Sequence, residues 1–130
     1  MTTEGCIGFY VQTRNYGATA SFWHSLGFEK TFETDHGSGQ WQHPRGGPYV
    51  FIDEQQVEEL EIHPILSVRD AAAFSPQRPV DFAKEFTPEH WGMLEAVILD
   101  PDGRPVSLQA PLPLGTVAPD ADAHHADKYR

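Results

Sequence analysis

The stretch Trp91–Leu108, WGMLEAVILDPDGRPVSL, constrains this chain more than any other. It contains two runs of strand character separated by Asp100-Pro101-Asp102-Gly103. Proline at the second turn position presets φ, aspartate is tolerated at the third, and glycine supplies a left-handed residue that returns the chain. The spacing predicts a β-hairpin. Its first strand, Met93–Leu99, is apolar on both parities apart from Glu95, as expected of a strand covered on two faces. In its second, Val106 and Leu108 alternate with Ser107 and Gln109, a half-buried pattern. A hairpin that is buried on both faces needs a larger sheet around it.

The upstream residues supply candidates. Gly5–Thr13 alternates, with Ile7, Phe9 and Val11 on one face and Cys6, Gly8, Tyr10 and Gln12 on the other. The first set reads as core, the second as the mixed surface of a strand that meets a ligand, a sheet edge or a subunit. Asn15 is placed to cap a helix that runs to about Leu26 and stops at Gly27. Thr19, Phe22, Trp23 and Leu26 form its apolar stripe, and His24 falls off it. Phe28–Asp35, Gln40–His43 and Tyr49–Asp53 read as three short strands between the turn clusters HGSG and PRGGP. Leu60–Val68 begins the pattern again as a strand, with Pro64 as an irregularity. The expected second helix is cut short: Arg69–Arg78 offers three alanines, but Pro76 and Pro79 leave room for at most about two turns. Asp81–Phe86 then reads as a strand before the hairpin. The order is β-α-β-β-β twice, an α+β arrangement.

Composition limits what such a chain can do. Its 130 residues make one domain that buries roughly two-thirds of the surface its unfolded chain exposes. The single cysteine, Cys6, has no partner for a disulfide and fits a reducing compartment, with burial as its default. No apolar run approaches the length of a membrane span, so a cytoplasmic location is expected. Nineteen acidic against nine basic residues, a formal charge of −10, argue against nucleic acid, which needs a basic stripe. Acidity permits a cationic ligand and equally serves solubility. The pair Asp53–Glu54 and the cluster Glu58, Glu59 and Glu61 read as a solvated face, with attraction of a cation as the alternative.

YGATASFWHSLGF, followed about seventy residues later by WGMLEAVILDPDGRPVSL, resembles the glyoxalase/bleomycin-resistance/dioxygenase (vicinal oxygen chelate) superfamily. The resemblance spans roughly Gly5 to Pro111. It implies one domain over residues 1–112, with module one at 5–54 and module two at 60–110, and a flexible tail at 113–130. Two βαβββ modules would curl a mixed sheet around a cup, usually completed in a homodimer. Metal-dependent members place one ligand, mostly His or Glu, on the first and last strand of each module. Carried onto this chain, those positions fall at Gly8, at Ile52 or its neighbour Asp53, at His63 and at Ser107. Only His63 suits a divalent ion well, so no metal and no cofactor are expected. The pattern is then closest to the metal-free bleomycin-resistance-type antibiotic-binding proteins.

The cup face expected from this reading comprises Tyr10, Gln12, Trp41, His43, Phe51, His63, Phe86, Trp91, Ser107 and Gln109. Aromatic plates with a few polar tips suit a flat ligand held by stacking. The leading expectation is a protein that sequesters an antibiotic or other aromatic natural product, cationic or neutral, and so confers resistance. It would have no nucleic-acid or membrane partner. The alternative is an enzyme of the same superfamily, a lyase, isomerase or dioxygenase, using His63 in a degenerate metal site, or His63 or His43 as a general base. A vestigial cup is a third possibility. His124 and His125 in the tail read as solvated.

Overall fold

The computed structural model describes residues 1–119. Its elements are β1 (Cys6–Thr13), α1 (Tyr16–Ser25), β2 (Glu29–Glu33), β3 (Ser38–Gln42), β4 (Tyr49–Glu54), β5 (Ile62–Ser67), a single 3-10 turn at Ala71–Ala73, β6 (Asp81–Pro88), β7 (Met93–Leu99) and β8 (Pro105–Pro111). The α+β order of two βαβββ modules, the second with its helix reduced to one turn, is thus present. The calls on His124 and His125 lie outside the described residues. No helix among the described residues is long and apolar enough to cross a membrane.

The chain divides into two compact units, Cys6–Pro64 and Met1–Gly5 together with the chain from Ile65. In the first, the strand order is β2-β3-β4-β1. β1 and β4 run parallel with Tyr10 opposite Phe51 and Val11 opposite Ile52, and β3 pairs antiparallel with β4. Asn15 caps α1 as its sequence position requires: its Oδ1 accepts from the Ala18 N–H at 3.0 Å, and Gly27 takes φ +97° just past the end. α1 packs on β3 and β4, where Ala20, Trp41, Val50 and Ile52 form the core with Val11, Tyr16, Trp23 and Phe28 against it.

The expected helix stripe is only partly used. Of its members Trp23 packs against the core, while Phe22 and Leu26 are 57% and 52% exposed, and the helix's one buried residue, Ala20, lies off the stripe. A ten-residue helix lying over β3 and β4 turns only its Tyr16–Ala20–Trp23 edge inward. The burial of β1 also differs in part from expectation: Val11 packs against the core under α1, but Phe9 is exposed and Tyr10, on the other face, is fully buried.

A polar latch fixes α1 to the sheet. The Tyr16 hydroxyl donates to Glu33 Oε2 at 2.7 Å and accepts from the Trp41 indole N–H at 3.2 Å. Its oxygen also explains Gly39, where a Cβ would lie 2.3 Å from it. Burial and the Glu33 carboxylate push the Tyr16 phenol up to about 12.

In the second unit the order is β5-β8-β7-β6. The hairpin forms as expected: the Gly103 N–H reaches the Asp100 carbonyl at 2.9 Å with Gly103 at φ +81°, and Asp100 Oδ1 accepts from Asp102 and Arg104 N–H groups. Val68, Leu94, Ala96, Leu108 and Ala110 make the core, with Leu66, Phe74, Phe82 and Phe86 packed on it. Where the first unit carries a helix, this one has the Ala71–Ala73 turn and a groove of about 790 Å³, lined among others by Ala71, Ala72, Phe86, Leu94 and Leu112. Cys6, expected to be buried, is exposed, with its thiol 3.4 Å from the Gly8 carbonyl.

Two measurements test this packing. Leu108→Ala should cost about 3 kcal/mol in urea unfolding, whereas Phe22→Ser should stay within about 0.5 kcal/mol of the parent. The Tyr16 phenol holds its proton longer in the folded state than in the unfolded one. Above the ordinary tyrosine range the unfolded state therefore binds fewer protons, and stability should fall as pH rises from about 10 toward 12. Tyr16→Phe should remove that part of the decline, as read from urea midpoints across the alkaline range.

Candidate functional site

Strand register decides which of the expected residues meet. In the first unit, alternation from the Tyr10–Phe51 pair puts Gly8, Tyr10, Gln12, Tyr49, Phe51 and Asp53 on the face opposite α1. Gln40 stands opposite Phe51 on β3, and Phe32 opposite Gln40 on β2, so both join that face. His63 also belongs there, with its ring 4.9 Å from that of Tyr10.

The result is a row of rings. His63 is tilted against Tyr10, Tyr10 is stacked on Phe51 at 6.4 Å, and Phe51 meets Phe32 at 6.2 Å. The His63 and Tyr10 end is buried; Phe51 is half-buried and Phe32 is 48% exposed. Phe32 was not among the expected residues. A bulge between Lys30 and Phe32 reverses the alternation on β2, which no reading of an isolated strand can anticipate.

Polar groups brace the row. The Tyr10 hydroxyl donates to Asp53 Oδ2 at 2.6 Å, and the Gln55 amide donates to the same oxygen at 3.1 Å. Asp53, expected on a solvated face, is buried and holds the tyrosine. The Gln12 amide lies 3.4 Å from the Tyr10 oxygen, while its carbonyl accepts from the Glu61 N–H at 3.0 Å. Glu61 Oε2 meets His63 Nδ1 at 2.5 Å, a carboxylate–imidazole contact that fixes the ring.

Trp41 and His43 depart from the expected set. Trp41 pairs with Val50, on the parity of the helix face, and packs in the core beneath α1. His43, of the same parity, sits edge-on to Phe28, 5.4 Å away, and its ring blocks the space beside Gly27. Their residue types fit a pocket, but the β3–β4 register turns Trp41 the other way and His43, past the end of β3, packs on Phe28.

The second unit holds the remaining four. Ser107 is opposite Val97 and Gln109 opposite Glu95, on the face away from the apolar core. Lys84 bridges two fully buried carboxylates there, donating to Glu89 Oε2 at 2.7 Å and to Glu95 Oε1 at 3.4 Å. Phe86 is on the other face, against Phe74 at 6.0 Å and along the groove. Two register shifts in β6 separate Phe82, Lys84 and Phe86 from simple alternation, and they explain both the misplacement of Phe86 and the unanticipated Lys84. Trp91 is half-buried in the turn before β7, edge-on to His90.

The positions that the superfamily pattern assigns to metal ligands do not fit a divalent ion. Gly8 offers no donor, and the Tyr49 ring fills the space where its side chain would be, with ring atoms 2.4–2.6 Å from a built Cβ. Ile52 lies in the core under α1, Asp53 is committed to Tyr10 and Gln55, and Ser107 is a buried hydroxyl. His63 remains, held by Glu61. Among the described residues no group of three or more His, Cys, Asp or Glu is placed to hold a metal.

No family model and no curated protein matches the sequence. Solved structures do match. A glyoxalase/bleomycin resistance protein/dioxygenase superfamily member from Vibrio splendidus 12B01 is 17% identical with a TM-score of 0.59, over 79% of this chain and 96% of that one. The Mn(II)-bound glyoxalase from Novosphingobium aromaticivorans is 15% identical with a TM-score of 0.61, and BphC, a halotolerant catechol dioxygenase, 14% identical with a TM-score of 0.58. Each of these two matches covers 92% of this chain, which spans 42% of their length. The chain has the glyoxalase/bleomycin-resistance fold.

The Gly8–Tyr49 packing gives a direct test. Gly8→Ala should destabilise the protein, and the same substitution made in a Tyr49→Ala background should cost about 1–2 kcal/mol less, measured as a double-mutant cycle in urea.

Proposed function

We propose that this protein is a small-molecule binder that sequesters a flat aromatic natural product, such as an antibiotic, without a metal ion. The observation that carries the reading is the row His63–Tyr10–Phe51–Phe32. Phe51 and Phe32 offer the accessible stacking area, backed by the buried Tyr10 and His63 rings that Asp53 and Glu61 hold in place. The row is buried at one end and exposed at the other, so a planar molecule can slide over Phe51 and Phe32 while polar atoms at its rim meet Gln12 and Gln40. The donor set at the family's ligand positions supports binding without a chelated ion. Homodimerisation and a role in drug resistance belong to the same proposal.

The Glu61–His63 contact favours a second reading, an enzyme of the superfamily in which an imidazole oriented by a carboxylate removes a proton from the ligand. The two readings differ in the fate of the ligand.

A panel of planar polycyclic natural products, screened by thermal shift and then by equilibrium dialysis, separates them. Binding raises the melting temperature because only the folded state holds the ligand. The expected result is stoichiometric binding with the ligand recovered unchanged by mass spectrometry, and affinity reduced about tenfold or more by Phe51→Ala. Turnover of a panel member that His63→Ala abolishes would establish the enzyme instead. Failure to bind any member, with the parent protein folded, would overturn the binder reading.

A further inference from the structure

α1 lies on the surface of the first unit, yet it contains no aspartate, glutamate, lysine or arginine, in a chain with nineteen acidic and nine basic residues. Its outward edge, at spacings of three and four, is Ala18, Phe22, Ser25 and the cap residue Leu26, all exposed. The Ser25 hydroxyl turns back on the helix and donates to the Phe22 carbonyl at 2.6 Å. An exposed phenylalanine and leucine framed by small residues, with no ionised neighbour on the helix, have the composition of an interface centre.

The second unit offers a concave counterpart. In place of a helix it has the Ala71–Ala73 turn and the groove, with Met1, Ala71, Ala72, Phe86, Leu94 and Leu112 in its wall. The ionic side chains that line it, Arg69 and Asp70, are both engaged. Arg69 donates to Glu4 Oε2 from Nη2 at 3.0 Å and from Nε at 3.3 Å, and Asp70 Oδ1 accepts from the Ala72 N–H at 3.0 Å.

We infer that this groove receives the Ala18–Phe22–Leu26 edge of α1 from a second copy of the chain. Charge selects the occupant. Two copies at −10 repel one another, so they associate only through faces that do not set acid against acid. The helix edge brings no charge, and Arg69 and Asp70 already have partners, so closing the contact strands no ion. A charged partner would find both groove ions committed. The inner edge of α1, Tyr16, Ala20 and Trp23, already covers the sheet of its own unit; the outer edge of the second copy's α1 gives the second unit the cover that Pro76 and Pro79 deny it. This supplies the surfaces for the homodimerisation proposed above and does not depend on a ligand.

Sedimentation velocity tests it. Two turns of helix make a small interface, so a dissociation constant on the order of 10 µM is expected, with separate chains below about 1 µM. In that dilute range Phe22→Ser reports on the lone chain, where its effect on unfolding is small. Phe22→Lys on the helix and Ala72→Glu in the groove, both at exposed positions, should each weaken association about tenfold or more while keeping the parent's circular dichroism. Mixing these two variants should bring association back, because one supplies an intact groove and the other an intact helix. Ser25→Arg on the same edge repeats the test if Phe22→Lys does not fold. A parent that stays monomeric at about 100 µM would overturn the inference. So would association that neither substitution weakens, or that only one of them weakens, since like surfaces would then be meeting. Phe51 and Phe32 face away from α1, so a monomeric parent that binds a planar ligand would end this inference and leave sequestration standing.

Discussion

The parallel pairing of β1 with β4 is the constraint on which the first module depends. Tyr10 opposite Phe51 puts two rings in a stack, and by the period-two rule it sends Val11, Val50 and Ile52 under α1. A slip of β4 by one residue would turn Phe51 and Asp53 beneath an apolar helix and take Val50 and Ile52 out of its core. The Tyr10–Asp53 hydrogen bond opposes that slip, because both groups are buried and each satisfies the other only in the observed register.

The modules solve the covering of a sheet differently. The first uses a ten-residue helix, latched by Tyr16 to Glu33 and Trp41. The second has one turn of 3-10 helix and fills the same kind of space with Phe74, set edge-on to Phe82 and Phe86, leaving a groove alongside. Pro76 and Pro79 are the local cause, since neither can continue a helix that starts at Asp70. Both modules send their polar side chains to the face away from the apolar core. There the first builds a ring row with acids around it, and the second a lysine between two buried carboxylates.

Much of this was legible without coordinates. The strand–helix–strand order, the Asn15 cap, the Gly27 stop, the truncated second helix and the Asp100–Gly103 turn each depend on residues adjacent in sequence, and each formed as their local chemistry requires. Tyr10, Gln12 and Phe51 share one face because β1 and β4 alternate without interruption. The errors cluster where alternation is broken or where a partner strand sets the phase. Trp41 and His43 were turned the wrong way because β3 takes its phase from β4; Phe86 was misplaced and Lys84 and Phe32 overlooked because bulges in β6 and β2 reset the parity. Asp53 and Glu61 looked like surface acids because the groups that engage them, Tyr10 and His63, are brought there by the fold or by a strand whose facing was open.

What the amino-acid order determined by itself was the inventory of elements and the donors they carry: at the positions the superfamily pattern assigns to ligands, glycine and isoleucine side chains offer none and a serine hydroxyl is a poor one. Tertiary structure decided which aromatic rings share a surface, that Tyr49 closes over Gly8, and that Asp53 meets the Tyr10 hydroxyl. The physical reason is range. Caps, turns and helix stops act over a few residues along the chain, whereas a side chain's face depends on hydrogen-bond register with strands ten to forty residues away.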